Sequence, residues 1–180
     1  RFHELDPTQK IAVMKAVQIA ATTAILENAI GYGIDHAPCG MMYVSADQEL
    51  VEMSIDVKLD PMLESCGLQG KLPPATASSR STGNTSKLKE FPGGFLLASG
   101  ANSPGKLRSM AVKWLFMDEL DGMPAELKNE GSPIKLAENR TSSFEASRKI
   151  LYISTPLVTQ TSLILKMFNM GDQRYYYVPC

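Results

Sequence analysis

Two adjacent carboxylates, Asp118 and Glu119, directly follow the apolar run 112–117. Such a run predicts a buried strand, and open α/β proteins bind ligands at the carboxyl ends of their strands. In nucleotide hydrolases with this arrangement the Asp holds Mg²⁺, and the adjacent Glu orients or deprotonates the attacking water. The pair alone equally fits a strand that runs into a solvated acidic turn.

A second candidate is the segment 15–22, KAVQIAAT, which lies between a short apolar run and a helical pattern. Backbone N–H groups at the start of a helix bind phosphate, and the hydroxyl of Thr22 stands where a Ser or Thr contacts Mg²⁺. The usual GxxxxGK[ST] pattern is absent, because Ala20 and Ala21 occupy the Gly and Lys positions. The only lysine is Lys15, at the start of the loop. A buried joint between strand and helix is the alternative interpretation.

A third candidate is the run Ser154-Thr155-Pro156, three small residues at the end of an apolar stretch. In helicase-like motors, residues at such a strand end lie between the carboxylates and the γ-phosphate and report the state of the nucleotide. Taken alone, the run is also compatible with an ordinary strand end.

Periodicity and turn signals predict the elements that position these residues. Strands are expected at 10–14, 41–45, 95–99, 112–117 and 150–154, with a further edge strand at 175–178. Helices are expected at 22–32, 48–57 and 161–170. Continuous apolar strands that alternate with helices indicate an α/β fold, a three-layer sandwich with a mostly parallel central sheet covered on both faces.

The stretch 71–94 is rich in Ser, Thr, Pro, Gly and Lys and lacks apolar periodicity, which predicts a mobile loop. Its cations either contact DNA phosphates or belong to a solvated loop. They are Lys71, Arg80, Lys87 and Lys89.

Composition indicates one globular domain over 1–180, with 44% hydrophobic and 21% charged residues. The formal net charge is −1, so any nucleic-acid contact must use local patches or another part of the protein. Three cysteines without a CxxC pair favour a reducing compartment. No apolar run approaches the roughly 18 residues of a membrane span, so no membrane partner is expected. We expect the chain to be a fragment of a longer polypeptide.

Taken together and in order, these stretches resemble the N-terminal ATPase domain of the large terminase subunit of lambda-like tailed phages. The resemblance covers nearly the whole chain. It is carried by residues 15–22, 91–94, 100–104 with Leu107-Arg108, 118–121, 130–133, 139–141, 154–156 and 172–180.

The resemblance implies a P-loop NTPase fold of the helicase-like group, binding ATP and Mg²⁺. It implies a motor that couples ATP hydrolysis to translocation of double-stranded DNA into a procapsid, in the host cell cytoplasm. The expected partners are the DNA, the small terminase subunit, the portal protein and further copies in a homo-oligomeric ring. Nuclease activity is expected only in another domain.

The resemblance also assigns roles. Lys15 binds phosphate, Thr22 and Asp118 hold Mg²⁺, Glu119 activates water and Thr155 couples hydrolysis to movement. The remaining loop positions implied to contact the nucleotide are Gln18, Ala20, Ala21 and Thr23. Arg108 is the candidate for contacting the γ-phosphate, in cis or at a neighbour's site, with Arg140 as a weaker one. The family normally has Gly at the position of Ala20, and at φ > 0 an Ala would cost roughly 1–2 kcal/mol.

Two classes of function therefore stay open. The first is an ATP-driven DNA translocase, and the second is a non-hydrolysing structural module of the same fold with a degenerate phosphate loop. A helicase or remodelling enzyme would share the nucleotide site but needs strand-separating elements that the sequence does not indicate. The pair Asp118-Glu119 favours the translocase, because a degenerate module has no use for it.

Overall fold

A six-stranded sheet forms the centre of the computed structural model, which describes residues 5–74, 83–128 and 130–177. Its strands are β1 (Lys10–Met14), β2 (Gly40–Ser45), β3 (Leu88–Phe91), β4 (Gly94–Gly100), β5 (Trp114–Asp118) and β6 (Lys149–Ser154). Their order is β1-β6-β5-β2-β4-β3, and every neighbouring pair is parallel except β3 with β4. The first five strands predicted from apolar runs are confirmed, with ends shifted by one or two residues.

Helices connect the strands. They are α1 (Asn28–Asp35), α2 (Gln48–Ser54), α3 (Asp60–Ser65), α4 (Pro104–Leu107), α5 (Pro133–Glu138) and α6 (Leu163–Asn169). Two π-helical segments, Thr22–Glu27 and Ile55–Leu59, run directly into α1 and α3. Short 3-10 turns lie at Leu68–Lys71, Leu120–Gly122 and Asn139–Phe144. The predicted helices at 22–32 and 48–57 are therefore real but longer, and end at Asp35 and Ser65.

Both faces of the sheet are buried, as the strand sequences predict. Along β5, Trp114 and Phe116 enter one apolar cluster, whereas Leu115 and Met117 enter the other. Residues of α1, α2 and α3 complete the first cluster, and residues of α4, α5 and α6 complete the second. Because each fully buried large side chain contributes about 1.5–3 kcal/mol, two such clusters stabilise a three-layer sandwich and fix the positions of the strand ends.

Strand β3 corrects the prediction of a stretch without secondary structure over 71–94. It pairs antiparallel with β4 through a turn in which Gly93 has φ +85°. Within β3, Lys89 is buried, and its Nζ lies 2.9 Å from the Asp60 carboxylate and 3.1 Å from Asn84 Oδ1. Lys89 is thus an internal ion-pair residue and is not available to DNA phosphates.

The other loop cations have different surroundings. Lys71 Nζ donates to the backbone oxygen of Asp35 at 3.1 Å, and Lys87 Nζ lies 3.3 Å from Glu52 Oε1. Arg80 belongs to residues 75–82, which lie outside the described residues, so mobility there stays a prediction.

The predicted edge strand at 175–178 is wrong over 175–177, which take no part in the sheet, and position 178 is not described. The tyrosines at 175–177 favour an extended strand, but this preference alone does not add the segment to the sheet. The ring of Tyr175 instead packs edge-on against Phe168 of α6, at 5.1 Å between centroids. Among the described residues, no helix has both the length and the apolar character required to cross a bilayer.

Candidate functional site

The carboxyl ends of three neighbouring strands meet at one edge of the sheet. Strands β1, β6 and β5 are parallel neighbours, and the register places Met14 opposite Ser154 and Asp118 opposite Ile153. The residues that follow each strand therefore emerge at the same edge. This brings together the three stretches that the sequence singled out.

Lys15 lies at the centre of this edge. Its backbone N–H donates to Ser154 O at 3.0 Å, which continues the pairing of β1 with β6 by one residue. Its Nζ lies 3.0 Å from Glu119 Oε1 and 3.4 Å from Thr155 Oγ1, and its side chain is only 9% exposed. The structure thus joins the predicted phosphate-binding lysine to a side chain from each of the other two strands.

Glu119 occupies an uncommon backbone conformation, with φ 51° and ψ 50°. A non-glycine residue in this left-handed region costs about 1–3 kcal/mol, and such strain concentrates at functional positions. The turn is stabilised by the N–H of Glu119, which donates to Asp118 Oδ1 at 3.0 Å. It leaves the Glu119 side chain 45% exposed at the edge of the sheet.

Thr22 and Asp118 form the second contact of the site. The hydroxyl of Thr22 lies 3.2 Å from Asp118 Oδ2, and Asp118 is 5% exposed. Burial raises the pKa of the Asp118 carboxyl, and the adjacent charge of Glu119 raises it further. Hydrogen bonds from the Thr22 hydroxyl and the Glu119 N–H offset only part of this effect on the pKa, so a bound cation would stabilise the charged form of Asp118.

This donor set fits Mg²⁺. Hydroxyl and carboxylate oxygens are hard ligands, and protein Mg²⁺ sites use one or two such groups together with water and substrate phosphates. No cluster of three or more His, Cys, Asp or Glu side chains suited to a metal occurs within 5–74, 83–128 and 130–177. A cation at Thr22 and Asp118 would therefore take its remaining ligands from water and substrate phosphates.

The loop 16–20 is exposed and contains two residues in the left-handed region, Gln18 at φ +57° and Ala20 at φ +56°. Ala20 O accepts the N–H of Ala24 at 2.8 Å, which starts the first helical turn. The N–H groups of the residues between these two lack acceptors within the helix and lie at its positive end. Position 20 therefore does require φ > 0, the condition under which we expected its Ala to be costly.

We expect Ala20→Gly to increase the free energy of unfolding by about 0.5–1 kcal/mol. Glycine relieves the roughly 1–2 kcal/mol of left-handed strain, and its larger unfolded-state entropy removes part of that gain. Denaturant unfolding of the two proteins measures the difference.

Ala21→Gly is the matched control, because Ala21 has φ −64° and is already in the helical region. There glycine should destabilise by roughly 0.5–1 kcal/mol. Destabilisation of similar size at both positions would contradict the strain assigned to Ala20.

The structure places the side chains of Ala21 and Thr23 differently from that of Thr22. Ala21 is buried, with 6% of its surface exposed, so the position aligned with the usual lysine faces the core. Thr23 is exposed, and it is Thr22 that contacts Asp118. The N–H groups of Ala21 and Thr23 lie in the first turn of the helix, and the contacts of these two residues with the nucleotide stay predictions.

A buried carboxylate near the site, Glu27, was missed by the sequence analysis. Glu27 is 2% exposed, burial raises its pKa, and the charge of Asp118 adds to the shift. The signal was present, because Glu27 shares a helical stripe with Ile30 and Ile34, which are both buried.

The predicted arginines lie apart from this cluster. Arg108 forms an ion pair with Glu130 and is 44% exposed in its side chain. Its carbonyl oxygen accepts from Arg140 Nη1 at 3.1 Å. The contacts found for these two arginines in the described part of the chain do not include Lys15 or Glu119, and a contact of either arginine with the γ-phosphate stays a prediction.

A cavity of about 650 Å³ lies elsewhere in the described part of the chain. It is lined on one side by Lys10, Ile11 and Ala12 of β1 and on the other by residues of α6 and the segment after it. We place the functional site at the strand ends instead, because there a helix start, a buried carboxylate and a lysine converge.

A mostly parallel sheet with a loop-to-helix junction after β1 and paired carboxylates after β5 defines a P-loop-like α/β protein. Within this class, the chain belongs to the family described as phage terminase large subunit gpA, ATPase domain, whose model matches residues 2–180.

Solved structures share the fold at low sequence identity. The large terminase of the thermophilic bacteriophage D6E matches with 14% identity and a TM-score of 0.56, over 78% of this chain and 32% of that chain. The large terminase ATPase domain of Thermus phage P74-26 matches with 10% identity and a TM-score of 0.56, over 91% of this chain and 64% of that chain. The chain thus spans about a third of the D6E protein. No curated protein matches the chain.

Proposed function

We propose that this chain is the ATPase motor domain of a DNA-packaging terminase, which couples Mg-ATP hydrolysis to translocation of double-stranded DNA into a procapsid. The observation that carries the proposal is the convergence of Lys15, Glu119 and Thr155 beside the contact between Thr22 and Asp118. These five side chains come from three strand ends and one helix start, and each has a chemical type that phosphoryl transfer uses.

In this proposal each residue has a separate task. Lys15 supplies a point charge to the phosphates, and its long side chain makes reach more important than fixed geometry. Thr22 and Asp118 hold Mg²⁺, which when bound neutralises charge on the β- and γ-phosphates. Glu119 orients the attacking water and accepts its proton. Thr155 contacts Lys15 at the end of β6 and reports the nucleotide state to the following loop.

Adenine nucleotide is the ligand class best supported. The D6E large terminase has been solved with ADP and with ATP-gamma-S, and those structures match this chain with TM-scores of 0.54 and 0.50. The exposed loop 16–20 and the helix start after it offer backbone N–H groups for the phosphates.

The larger assembly is part of the proposal. We propose that the domain works in a homo-oligomeric ring with double-stranded DNA, the small terminase subunit and the portal protein, in the host cell cytoplasm, and that nuclease activity belongs to another domain. The Arg108 side chain is 44% exposed and pairs with Glu130 rather than with Lys15 or Glu119, which is compatible with a contact to a neighbour's nucleotide. A trans arginine is worth roughly 10³–10⁵ in rate where it operates.

A non-hydrolysing structural module remains the second candidate, because Ala20 sits strained at φ +56° and Ala21 faces the core. Both features fit a phosphate loop that has lost its usual residues. The paired Asp118 and Thr22, together with the strained Glu119, favour hydrolysis instead.

Titration of ATP with and without Mg²⁺ tests the proposal. The variant Asp118→Ala tests in addition whether Asp118 holds the metal. We expect the substitution to weaken Mg-ATP binding by about tenfold or more, because a metal-orienting carboxylate is lost. Binding without Mg²⁺ should change little. Calorimetry on the full-length protein measures both affinities.

Asp56→Ala is the control, since Asp56 is exposed on the π-helical segment Ile55–Leu59 and should leave both affinities unchanged. If Asp118→Ala binds Mg-ATP as tightly as the parent, Asp118 only terminates the strand. If the parent itself binds no ATP, the structural module is the better interpretation.

A further inference from the structure

Asp121, in the 3-10 turn that follows β5, joins three segments of the chain. Its Oδ2 accepts the N–H of Leu157 at 3.1 Å. Its Oδ1 accepts the N–H groups of Leu163 and Ile164, both at 2.9 Å. Its own N–H donates to Ser154 Oγ at 3.1 Å. The Asp121 carboxylate therefore connects the turn after β5 with the loop after β6 and the start of α6, and the Asp121 backbone N–H adds a bond to the end of β6.

Capping of α6 accounts for only the bonds from Leu163 and Ile164. The helix already has an N-cap, Ser162, whose Oγ accepts the N–H of Leu165 at 3.1 Å. The bond from Leu157 lies outside the helix, in the loop that begins with Thr155. A carboxylate that accepts three N–H groups holds its partners more strongly than a neutral acceptor would.

The loop 155–157 is held at both ends. At its start, Thr155 Oγ1 lies 3.4 Å from Lys15 Nζ, the atom that also contacts Glu119. At its end, Leu157 N donates to Asp121. Ser154 Oγ donates to Thr155 O at 3.2 Å and accepts the N–H of Asp121 at 3.1 Å. The Ser154 hydroxyl therefore provides a second connection between the loop and the turn.

Glu119 and Asp121 lie in the same turn. The two residues are separated only by Leu120, which is fully buried and anchors the turn in the core. A phosphate that takes Lys15 away from Glu119 and Thr155 changes both sides of the loop at once. The helix that would receive this change is α6, which packs against β1 and buries Ile164 and Phe168.

We propose that Asp121 is a positioning residue that couples the carboxylate turn to the loop 155–157 and to α6, so that the state of the nucleotide sets the position of α6. This inference rests on the proposed function, because it requires a nucleotide at Lys15. Asp121 touches neither nucleotide nor water in this role and acts through Thr155 and Glu119.

Asp121→Asn separates positioning from capping. In the Asn variant, the amide oxygen should face the two N–H donors of Leu163 and Ile164. The NH₂ group then faces the N–H of Leu157, and because both groups are donors this hydrogen bond is lost. We expect kcat for ATP to fall about 10- to 100-fold, as for a misplacement of roughly 1 Å, while KM changes less than about threefold. Amide exchange should accelerate at Leu157 and stay the same at Leu163 and Ile164.

Asp56→Asn, at an exposed position, is the matched control and should change neither kcat nor amide exchange. A kcat for Asp121→Asn within about twofold of the parent overturns the proposal, because Asp121 then only braces a loop. A rise in KM as large as the fall in kcat overturns it as well, because Asp121 would then contribute to binding.

If Asp121→Asn does not fold, a second measurement on the parent protein tests the coupling. In the parent full-length protein, a non-hydrolysable ATP analogue with Mg²⁺ should change amide exchange at Leu157 and Leu163 by about threefold or more. Unchanged exchange with the site saturated overturns the coupling. The proposed function fails separately, when Glu119→Gln keeps full turnover or the parent binds no nucleotide.

Discussion

Lys15→Ala should abolish ATP hydrolysis, with steady-state turnover reduced by at least about 10³-fold. Lys15 Nζ is the cation that contacts both Glu119 and Thr155, and its side chain is 9% exposed. Among the described contacts of these two partners, no other cation takes its place. Steady-state ATPase assays on the full-length protein, together with calorimetric titration of ATP, measure the loss.

The reciprocal change, Ala21→Lys, should give no large gain in binding or turnover. Ala21 is buried, so a lysine there must first leave the core before it reaches a phosphate. Lys10→Ala is the matched control, because Lys10 lies on the same strand but pairs with Glu138 at 3.1 Å. If Lys15 proves dispensable and Ala21→Lys restores binding, the loop is a degenerate phosphate loop and the motor proposal fails.

Glu119→Gln should remove most hydrolysis while ATP still binds. Loss of a general base lowers turnover by about 10²–10⁴-fold, and binding depends on Lys15, Thr22 and Asp118, which are unchanged. The structure adds a further expectation. The neutral amide of the variant would no longer hold Lys15 in an ion pair, so the affinity for ATP should stay the same or rise.

Single-turnover hydrolysis and equilibrium binding separate these two effects. Glu49→Gln is the control, since Glu49 is exposed in the first turn of α2 and should leave both unchanged. Turnover equal to that of the parent would remove Glu119 from the chemistry. A loss of binding as large as the loss of turnover would make Glu119 a ligand of the nucleotide complex instead.

The sequence was most informative about the strands that are buried on both faces. Apolar runs predicted five of the six strands and the layers of the sandwich, because burial on both faces leaves few polar positions. Strands β5 and β6 are buried along their whole length, whereas the edge strand β1 is only partly buried. Strand β3 was not predicted, because Lys89 and Glu90 give this segment the polar composition of a loop. The burial of Lys89 depends on Asp60, which is distant in sequence and unrelated by any local pattern.

The sequence predicted the ends of the helices less well, for a different reason. The sequence Asp60-Pro61 reads as a stop signal, yet the chain stays helical to Ser65. A π-helical segment, Ile55–Leu59, precedes it, and Pro61 falls in the first turn of α3, where a missing N–H is tolerated. Such a local change of helix type leaves no periodic signature.

For the site, residue types and order predicted the participants but not their contacts. That Lys15 meets Glu119 and Thr155 follows from β6 lying between β1 and β5, and strand order cannot be obtained from local patterns. The roles assigned to these residues stay predictions until the substitutions are made. The part played by Asp121 required the structure, because its partners are backbone N–H groups, which no residue type reveals.

The pairing of β1 with β6 has a consequence for the order of folding. Lys15 and Thr155 are 140 residues apart in sequence, and the strands that precede them align over five residue pairs. Closing a loop of this length is entropically unfavourable until the intervening chain is compact, so such non-local parallel pairing forms late. The strands β2, β4 and β5, with α1–α3, can assemble earlier around their shared core. We therefore expect the lysine-bearing edge to be completed last, after β6 has been synthesised.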